Sequence, residues 1–367
     1  MSITSRKISL DEPDIGEIER DYLNQCLDSG FISTFGPYVS QFEDRMKQFL
    51  NVPAAAALQS GTAALHLALH ELGIGEGDEV IVPALTFVAT VNPVTYVGAK
   101  PVIADIDAYT WNLDARGVEA AVTEKTKAVI PVHLYGNPCG MDALKAVARK
   151  YNLFVIEDAT ESLGSTYKGQ MTGTFGDMGC LSFNGNKMMT TAGGGMVVGN
   201  APELLAHIKF LADQARDATR GYYHPEVGFN YRMTNLEASL GLAQLSRMEE
   251  FLAKKKKFHE IYTDELAGLP VEFQQVEDGA KPNRWLNAVT FEPGVEVSEI
   301  QSAFSKKGIL SRRIFVPLTE FPPYENREKE QFKNAYDIYN RGLCLPSSTL
   351  NKEEDIMSVC SVLKELL

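Results

Sequence analysis

Between residues 54 and 158 the sequence alternates, again and again, between short runs that are apolar throughout and longer stretches with helical spacing. The apolar runs are Ala54–Gln59, Glu79–Val82, Pro101–Ile106, Ala128–Leu134 and Phe154–Glu157. A strand that is apolar on every residue has to be covered on both faces. Helices between such strands supply that cover, which predicts an α/β fold with a mostly parallel sheet. The intervening helices are read at Ser60–Leu72, at Phe87–Val97 with an interruption at Pro93, and at Met141–Tyr151. In sheets of this kind ligands sit beyond the carboxyl ends of the strands. Ser60, Phe87, His133 and Asp158 all stand at or near such ends.

A sixth segment continues the pattern and carries the chemistry. Met178–Phe183 and Met196–Val198 read as strands, and the loop between them holds Lys187 and three consecutive glycines, Gly193, Gly194 and Gly195. Glycines leave room for close approach of backbone or ligand. A lysine in a loop is by itself an ordinary surface residue; Lys187 is set apart by following a strand of the same sheet that ends at Asp158. Ser60-Gly61-Thr62 opens a helix directly after a strand, an arrangement that points N–H groups at an anion but serves equally as a simple cap. Glu157 and Asp158 are adjacent on a strand, so only one of them can face a site.

The remainder of the chain reads as helices at Asp11–Leu27, Val39–Leu50, Pro202–Arg216, from a cap at Thr234 or Asn235, at Met248–Leu266, Val297–Lys307 and Glu353–Leu367. A strand is read at Asn287–Phe291 and Pro-rich turns at Pro317–Tyr324. With 367 residues two domains are expected, and the change of texture places them at 1–250 and 251–367. The net charge of −13 disfavours a general nucleic-acid surface. Five scattered cysteines without a CxxC, and polar residues 1–10, lead us to expect a cytoplasmic protein without signal peptide or membrane span. His66 and His70 share a helix face but lack the HExxH glutamate, so packing is expected there and no metal. Lys254–Lys257 reads as a solvated helix face. No GxGxxG follows a strand, and no P-loop occurs.

Taken together, SGTAALHLAL (60–69), GDEVIVPALTFVAT (77–90), GAKPVIADID (98–107), VIEDATESLGS (155–165), TGTFGDMGCLSFNGNKMMTTAGGGM (172–196) and FNYRMTNLEASLGLAQL (229–245) resemble, in order and over nearly the whole chain, the DegT/DnrJ/EryC1/StrS family of pyridoxal phosphate (PLP) aminotransferases that act on nucleotide-linked keto-sugars. The SFNGNK and EDATES forms are most similar to branches that make 4-amino sugars. The resemblance implies a fold-type I aminotransferase: a large PLP-binding α/β domain with a mostly parallel sheet, followed by a smaller C-terminal α+β domain. It implies Lys187 as the lysine joined covalently to PLP and as acid/base, with Asp158 facing the pyridine nitrogen. Glu161 would lie near the ring hydroxyl, where relatives often carry Gln. Phe87 would stack on the ring. The phosphate would be held by Gly61, Thr62 and Ala63 through the helix start, by Ser182, and by Asn230 from the second subunit of a homodimer. For the sugar pocket Tyr38, Arg232, Arg313 and Phe315 are candidates. Thr319 stands where relatives often have His, and no role is transferred to it. The implied reaction takes an amino group from glutamate to the sugar keto group, with C4 expected. A PLP-dependent sugar dehydratase and a non-catalytic PLP-binding regulator are the alternatives; a lysine at 187, where the dehydratase branch has histidine, favours amino transfer.

Overall fold

The computed structural model describes residues 7–326 and 328–367, so the first six residues of the polar N-terminal reading lie outside them. An extended strap over residues 8–12 comes first, then α1 (Glu17–Ser29) and α2 (Tyr38–Leu50). Next follow β1 (Ala54–Leu58), α3 (Gly61–Glu71), β2 (Glu79–Pro83), α4 (Asn92–Tyr96), β3 (Lys100–Ala104), α5 (Ala115–Ala121), β4 (Thr126–Val129), α6 (Met141–Tyr151) and β5 (Phe154–Asp158). The short strands β6 (Thr166–Tyr167) and β7 (Gln170–Met171) precede β8 (Met178–Ser182), β9 (Gly195–Gly199), α7 (Pro202–Ala212), α8 (Asn235–Ser246) and α9 (Met248–Glu265). The chain finishes with β10 (Val271–Phe273), β11 (Ala280–Lys281), β12 (Asn287–Phe291), α10 (Val297–Lys306), β13 (Arg312–Arg313), α11 (Lys333–Arg341), β14 (Gly342–Leu345) and α12 (Glu353–Leu366).

The large sheet has the order β1-β9-β8-β5-β4-β2-β3. All neighbours are parallel except β9, which runs antiparallel to both β1 and β8. Continuous burial matches the continuous apolar runs: Val80, Val82, Ile156, Cys180 and Val197 are fully buried with Leu65 and Leu69 of α3 on one face. The other face packs Phe42, Met46, Phe183 and Met189 against Ala238 and Leu245 of α8. Each such side chain contributes about 1.5–3 kcal/mol on burial. A four-stranded antiparallel sheet, β10-β12-β14-β13, carries α10 and α12 in its own core around Phe258, Val289, Phe304 and Val359.

Three readings change. The first helix starts at Glu17 and not at Asp11, because the Glu19 carboxylate accepts the Gly16 N–H at 2.7 Å and residues 8–12 bond to the C-terminal part, with Ile8 bridged to Ile309. Ile15 and Ile18, apolar residues near helical spacing, are exposed, while Glu19 is buried against Arg247 and Gln244. Secondly, the Phe87–Val97 helix is a 3-10 turn (Val88–Thr90) followed by α4, with Pro93 in its first turn. Thirdly, the lysine run is not a uniform solvated face: Lys255 is only 1% exposed, and Lys254 donates to the Thr349 carbonyl. His66 packs edge-on against Phe229, with its Nδ1 3.2 Å from the Tyr231 hydroxyl. Among the described residues no helix is long and apolar enough to cross a membrane.

Candidate active site

Strand alternation sends the two acidic residues at the end of β5 in opposite directions. Glu157 accepts the N–H groups of Gly173, Phe175 and Gly176 at 2.8, 2.6 and 2.7 Å. Its remaining partner is His133 Nε2 at 2.9 Å. Because His133 Nδ1 accepts the Cys139 N–H, Nε2 carries the proton. Glu157 and His133 therefore organise buried loops. Asp158 points to the other side and is 3% exposed; its Oδ2 accepts from the Thr90 hydroxyl at 2.7 Å and its Oδ1 from the Thr160 hydroxyl at 2.7 Å.

Above Asp158 lies a cleft of about 220 Å³, walled by the α3 N-terminus, the β8–β9 loop and residues from the second sheet. Lys187 reaches into it from a turn in which its N–H donates to the Asn184 carbonyl. The Lys187 ammonium lies 3.7 Å from Glu161 Oε1 and 4.3 Å from the centroid of the Trp285 ring. Burial pushes the Glu161 carboxyl above the ordinary glutamate range, against the pull of Lys187 and of the Tyr135 N–H, which donates to Oε2 at 2.8 Å. Phe87 is 53% exposed on the opposite wall, with its ring 5.7 Å from that of Phe315.

The helix start is built for close approach. Ser60 caps α3 by accepting the Ala63 N–H at 3.1 Å, which leaves Gly61 and Thr62 as the first N–H groups of the helix. A Cβ at Gly61 would stand 2.9 Å from the Ser182 Cβ, and one at Gly195 would stand 2.3 Å from the Ser60 carbonyl carbon. Only hydrogen fits at these two positions, so β9 and the Ser182 hydroxyl come against the helix start. Two N–H groups, a hydroxyl and the helix dipole form a cradle suited to a phosphate. An exposed aromatic face, a buried carboxylate and an amine complete a donor set that fits PLP.

Gly61, Thr62, Phe87, Asp158, Glu161, Ser182, Lys187 and Phe315 thus line one cleft. Ala63 does not, since its N–H is taken by Ser60. Tyr38 lies at the start of α2, its N–H held by Asn235. Arg232 is engaged by Asp213 at 2.9 Å and stacks over Phe35. Arg313 turns away, donating to the Tyr339 and Asn340 carbonyls at 2.7 and 3.0 Å. Asn230 is exposed, in a bridge with Asp213. Thr319 is buried, its hydroxyl 3.1 Å from that of Tyr336.

Among the lining residues that sequence reasoning missed, Arg312 and Trp285 stand nearest the chemistry. Arg312 places its guanidinium 5.1 Å from the Phe315 ring and 5.8 Å from Trp285, with Nε and Nη2 buried and without a hydrogen-bond partner. Its neighbour Arg313 was chosen instead, and strand alternation allows only one of the pair to face inward. Trp285, 1% exposed, donates its indole N–H to the Asn186 carbonyl at 2.6 Å; nothing in the sequence separates it from an ordinary core tryptophan.

Residues 13–364 match the model of the DegT/DnrJ/EryC1/StrS aminotransferase family. Among curated relatives, the GDP-perosamine synthase of Caulobacter vibrioides is 42% identical over 98% of both chains. The UDP-2-acetamido-2-deoxy-3-oxo-D-glucuronate aminotransferase of Pseudomonas aeruginosa is 42% identical over 60% of this chain and 62% of its own. Among solved structures, Spr1654 of Streptococcus pneumoniae, assigned as a sugar aminotransferase and solved in its PLP form, superposes with a TM-score of 0.92 at 31% identity, covering 99% of this chain and all of its own.

Proposed function

Because the chain belongs to the DegT/DnrJ/EryC1/StrS family of PLP-dependent sugar aminotransferases, we propose that it moves an amino group from glutamate to the C4 keto group of a nucleotide-linked deoxysugar, for surface polysaccharide or glycan synthesis. The observation that carries this reading is the convergence of Lys187, Asp158 and the Gly61-Thr62-Ser182 cradle on one cleft. When bound, PLP supplies an aldehyde that amines can join and a ring that withdraws electrons from the neighbouring carbon. The Gly61 and Thr62 N–H groups and the Ser182 hydroxyl would hold the phosphate, with Phe87 against the ring and Asp158 at the ring nitrogen. Lys187 would anchor the cofactor, and its free amine would carry the proton to and from the donor α-carbon. Trp285 and Glu161 fix where that amine rests.

Glutamate as donor is supported by Arg312, whose two unpartnered guanidinium nitrogens suit a carboxylate. C4 rests on the similarity to the GDP-perosamine synthase; the relative named for a 3-oxo sugar makes C3 the competing position. Exposed Asn230 is available to a second subunit, in keeping with a homodimer that shares its active sites. We also place a domain boundary near residue 250, and the protein in the cytoplasm, where its five free cysteines, all buried, stay reduced.

The test is direct. Purified protein reconstituted with PLP is offered glutamate and then GDP-, UDP-, dTDP- or CMP-linked 4-keto sugars, and products are read by mass spectrometry and NMR. A product with an amine on C4 and stoichiometric 2-oxoglutarate is expected. Loss of a hydroxyl without gain of nitrogen would identify the dehydratase reading, and PLP binding without any turnover the regulator.

A further inference from the structure

Directly behind the cleft wall lies a charged pair that the reaction does not use. Lys255 sits on α9, and its ammonium is 2.8 Å from Oδ1 of Asp11, which the N-terminal strap carries into the same buried space. Asp11 Oδ2 makes no hydrogen bond of ordinary geometry, although the Trp285 side chain lies close enough to stabilise the carboxylate; burial raises the Asp11 carboxyl above its ordinary range against the pull of Lys255, Trp285 and, more weakly, Lys187. Stability gives a poor account of such a pair: exchanging buried ion pairs for apolar side chains is often neutral or favourable. Its geometry gives a better one. The same Lys255 ammonium donates to the backbone carbonyl of Trp285 at 2.8 Å.

Trp285 is thereby held at three points. Its N–H donates to Asn283 Oδ1 at 2.8 Å, its carbonyl accepts from Lys255, and its indole N–H is tied to Asn186, the residue before Lys187. The ring itself stands 4.3 Å from the Lys187 ammonium, with the Arg312 guanidinium 5.8 Å from it. A cation over an indole face is attracted by the ring, the more strongly the further it is desolvated. A shift of the ring therefore moves the resting place of the amine.

We propose that the Asp11–Lys255 pair is a positioning device for Lys187: it fixes the Trp285 backbone so that the indole face seats the reacting amine. This rests on the reading of Lys187 as that amine, so the test has one arm that needs no turnover. The chain has two tryptophans, Trp111 and Trp285, and a Trp111→Phe background leaves Trp285 as the sole emitter. In the full-length, cofactor-free protein, adding Lys187→Met is expected to shift the Trp285 emission. In a background that also carries Asp11→Asn and Lys255→Met, which strands no buried charge, the same Lys187→Met change is expected to shift nothing. A Lys187-dependent shift that persists undiminished there overturns the proposal, whatever the enzyme's substrate. In the second arm the holoenzyme with Asp11→Asn and Lys255→Met is expected to lose on the order of ten-fold in kcat, with the KM for the nucleotide sugar within about two-fold, as small misplacements of a reacting group do. Lys255→Arg, which can still bond both Asp11 and the carbonyl, is expected to recover most of it. A folded double variant with wild-type kcat, or a loss confined to thermal stability, overturns the proposal.

Discussion

Glu161 shows how one buried carboxyl can set a pH profile. Burial raises its pKa above the unfolded value, so the neutral acid persists in the folded protein at pH values where a free glutamate is ionised. Its contribution to stability is present below the unfolded value and is lost as pH rises through the folded one. If the neutral acid is the working form beside the cofactor hydroxyl, Glu161→Gln keeps activity near neutrality and removes the decline that the wild type shows as pH rises through the Glu161 transition; kcat/KM against pH for both proteins checks this. With glutamate as the proposed donor, Arg312→Leu would leave its carboxylate without a charged partner, a loss of about 1.5–3 kcal/mol. The KM for glutamate should rise roughly 10- to 100-fold, with that for the sugar nucleotide much less affected, in steady-state assays with each substrate varied. The strand pattern could place Lys187 and Asp158 on one rim of a sheet, but their roles came from the family resemblance and not from spacing. Arg312 could not be told from Arg313, since that depends on the parity of a two-residue strand. Lys255 was hidden by three lysines around it, and only the packing of the N-terminal strap tells it apart.

Among the elements, α3 and β9 define the phosphate end of the cleft. Ser60 caps α3 through the Ala63 N–H, and Ser60→Ala should cost about 1 kcal/mol, read as a lower urea midpoint, together with weaker retention of PLP on dialysis. Gly195→Ala should do far more damage, because its Cβ would stand 2.3 Å from the Ser60 carbonyl carbon. β9 would be forced off the helix start, and the variant should lose PLP binding even where it remains soluble. These elements were legible because continuous apolar strands and a Ser-Gly-Thr turn leave few alternatives. The first helix was not. Its Ile15 and Ile18 imitate an inward face, whereas burial falls on Glu19, satisfied by Arg247 and Gln244 from α8 and the residue after it. Periodicity counts apolar residues and is blind to a buried carboxylate whose side-chain partners lie more than two hundred residues away.

At the scale of the molecule, the seven- and four-stranded sheets are joined by α9, by the N-terminal strap and by a small sheet in which β11 pairs with β6, and the cleft takes residues from both sides: Asp158 from the large sheet, Lys187 from its β8–β9 loop, Arg312 from the four-stranded sheet, and Trp285 from the segment just before β12. The change in texture along the chain pointed to a second unit after residue 250, but the strap was not legible, since its bonds to residues 308–351 are all non-local. One pH effect belongs to this junction. His259, against Asn287 at 2.9 Å, is lowered by burial from 6.5 to about 4. The neutral ring contributes stability above the unfolded value that is lost as pH falls towards the folded one, about 3 kcal/mol over the window from 6.5 to 4. Urea midpoints across that window should fall for the wild type and less steeply for His259→Gln. Whether Lys187 is the covalent anchor of an amino-transfer site is decided by borohydride reduction of the PLP-loaded protein followed by peptide mass mapping. A pyridoxyl phosphate adduct on Lys187 that disappears when glutamate is added before reduction is expected; an adduct on another lysine, or one on Lys187 indifferent to glutamate, would rule that role out.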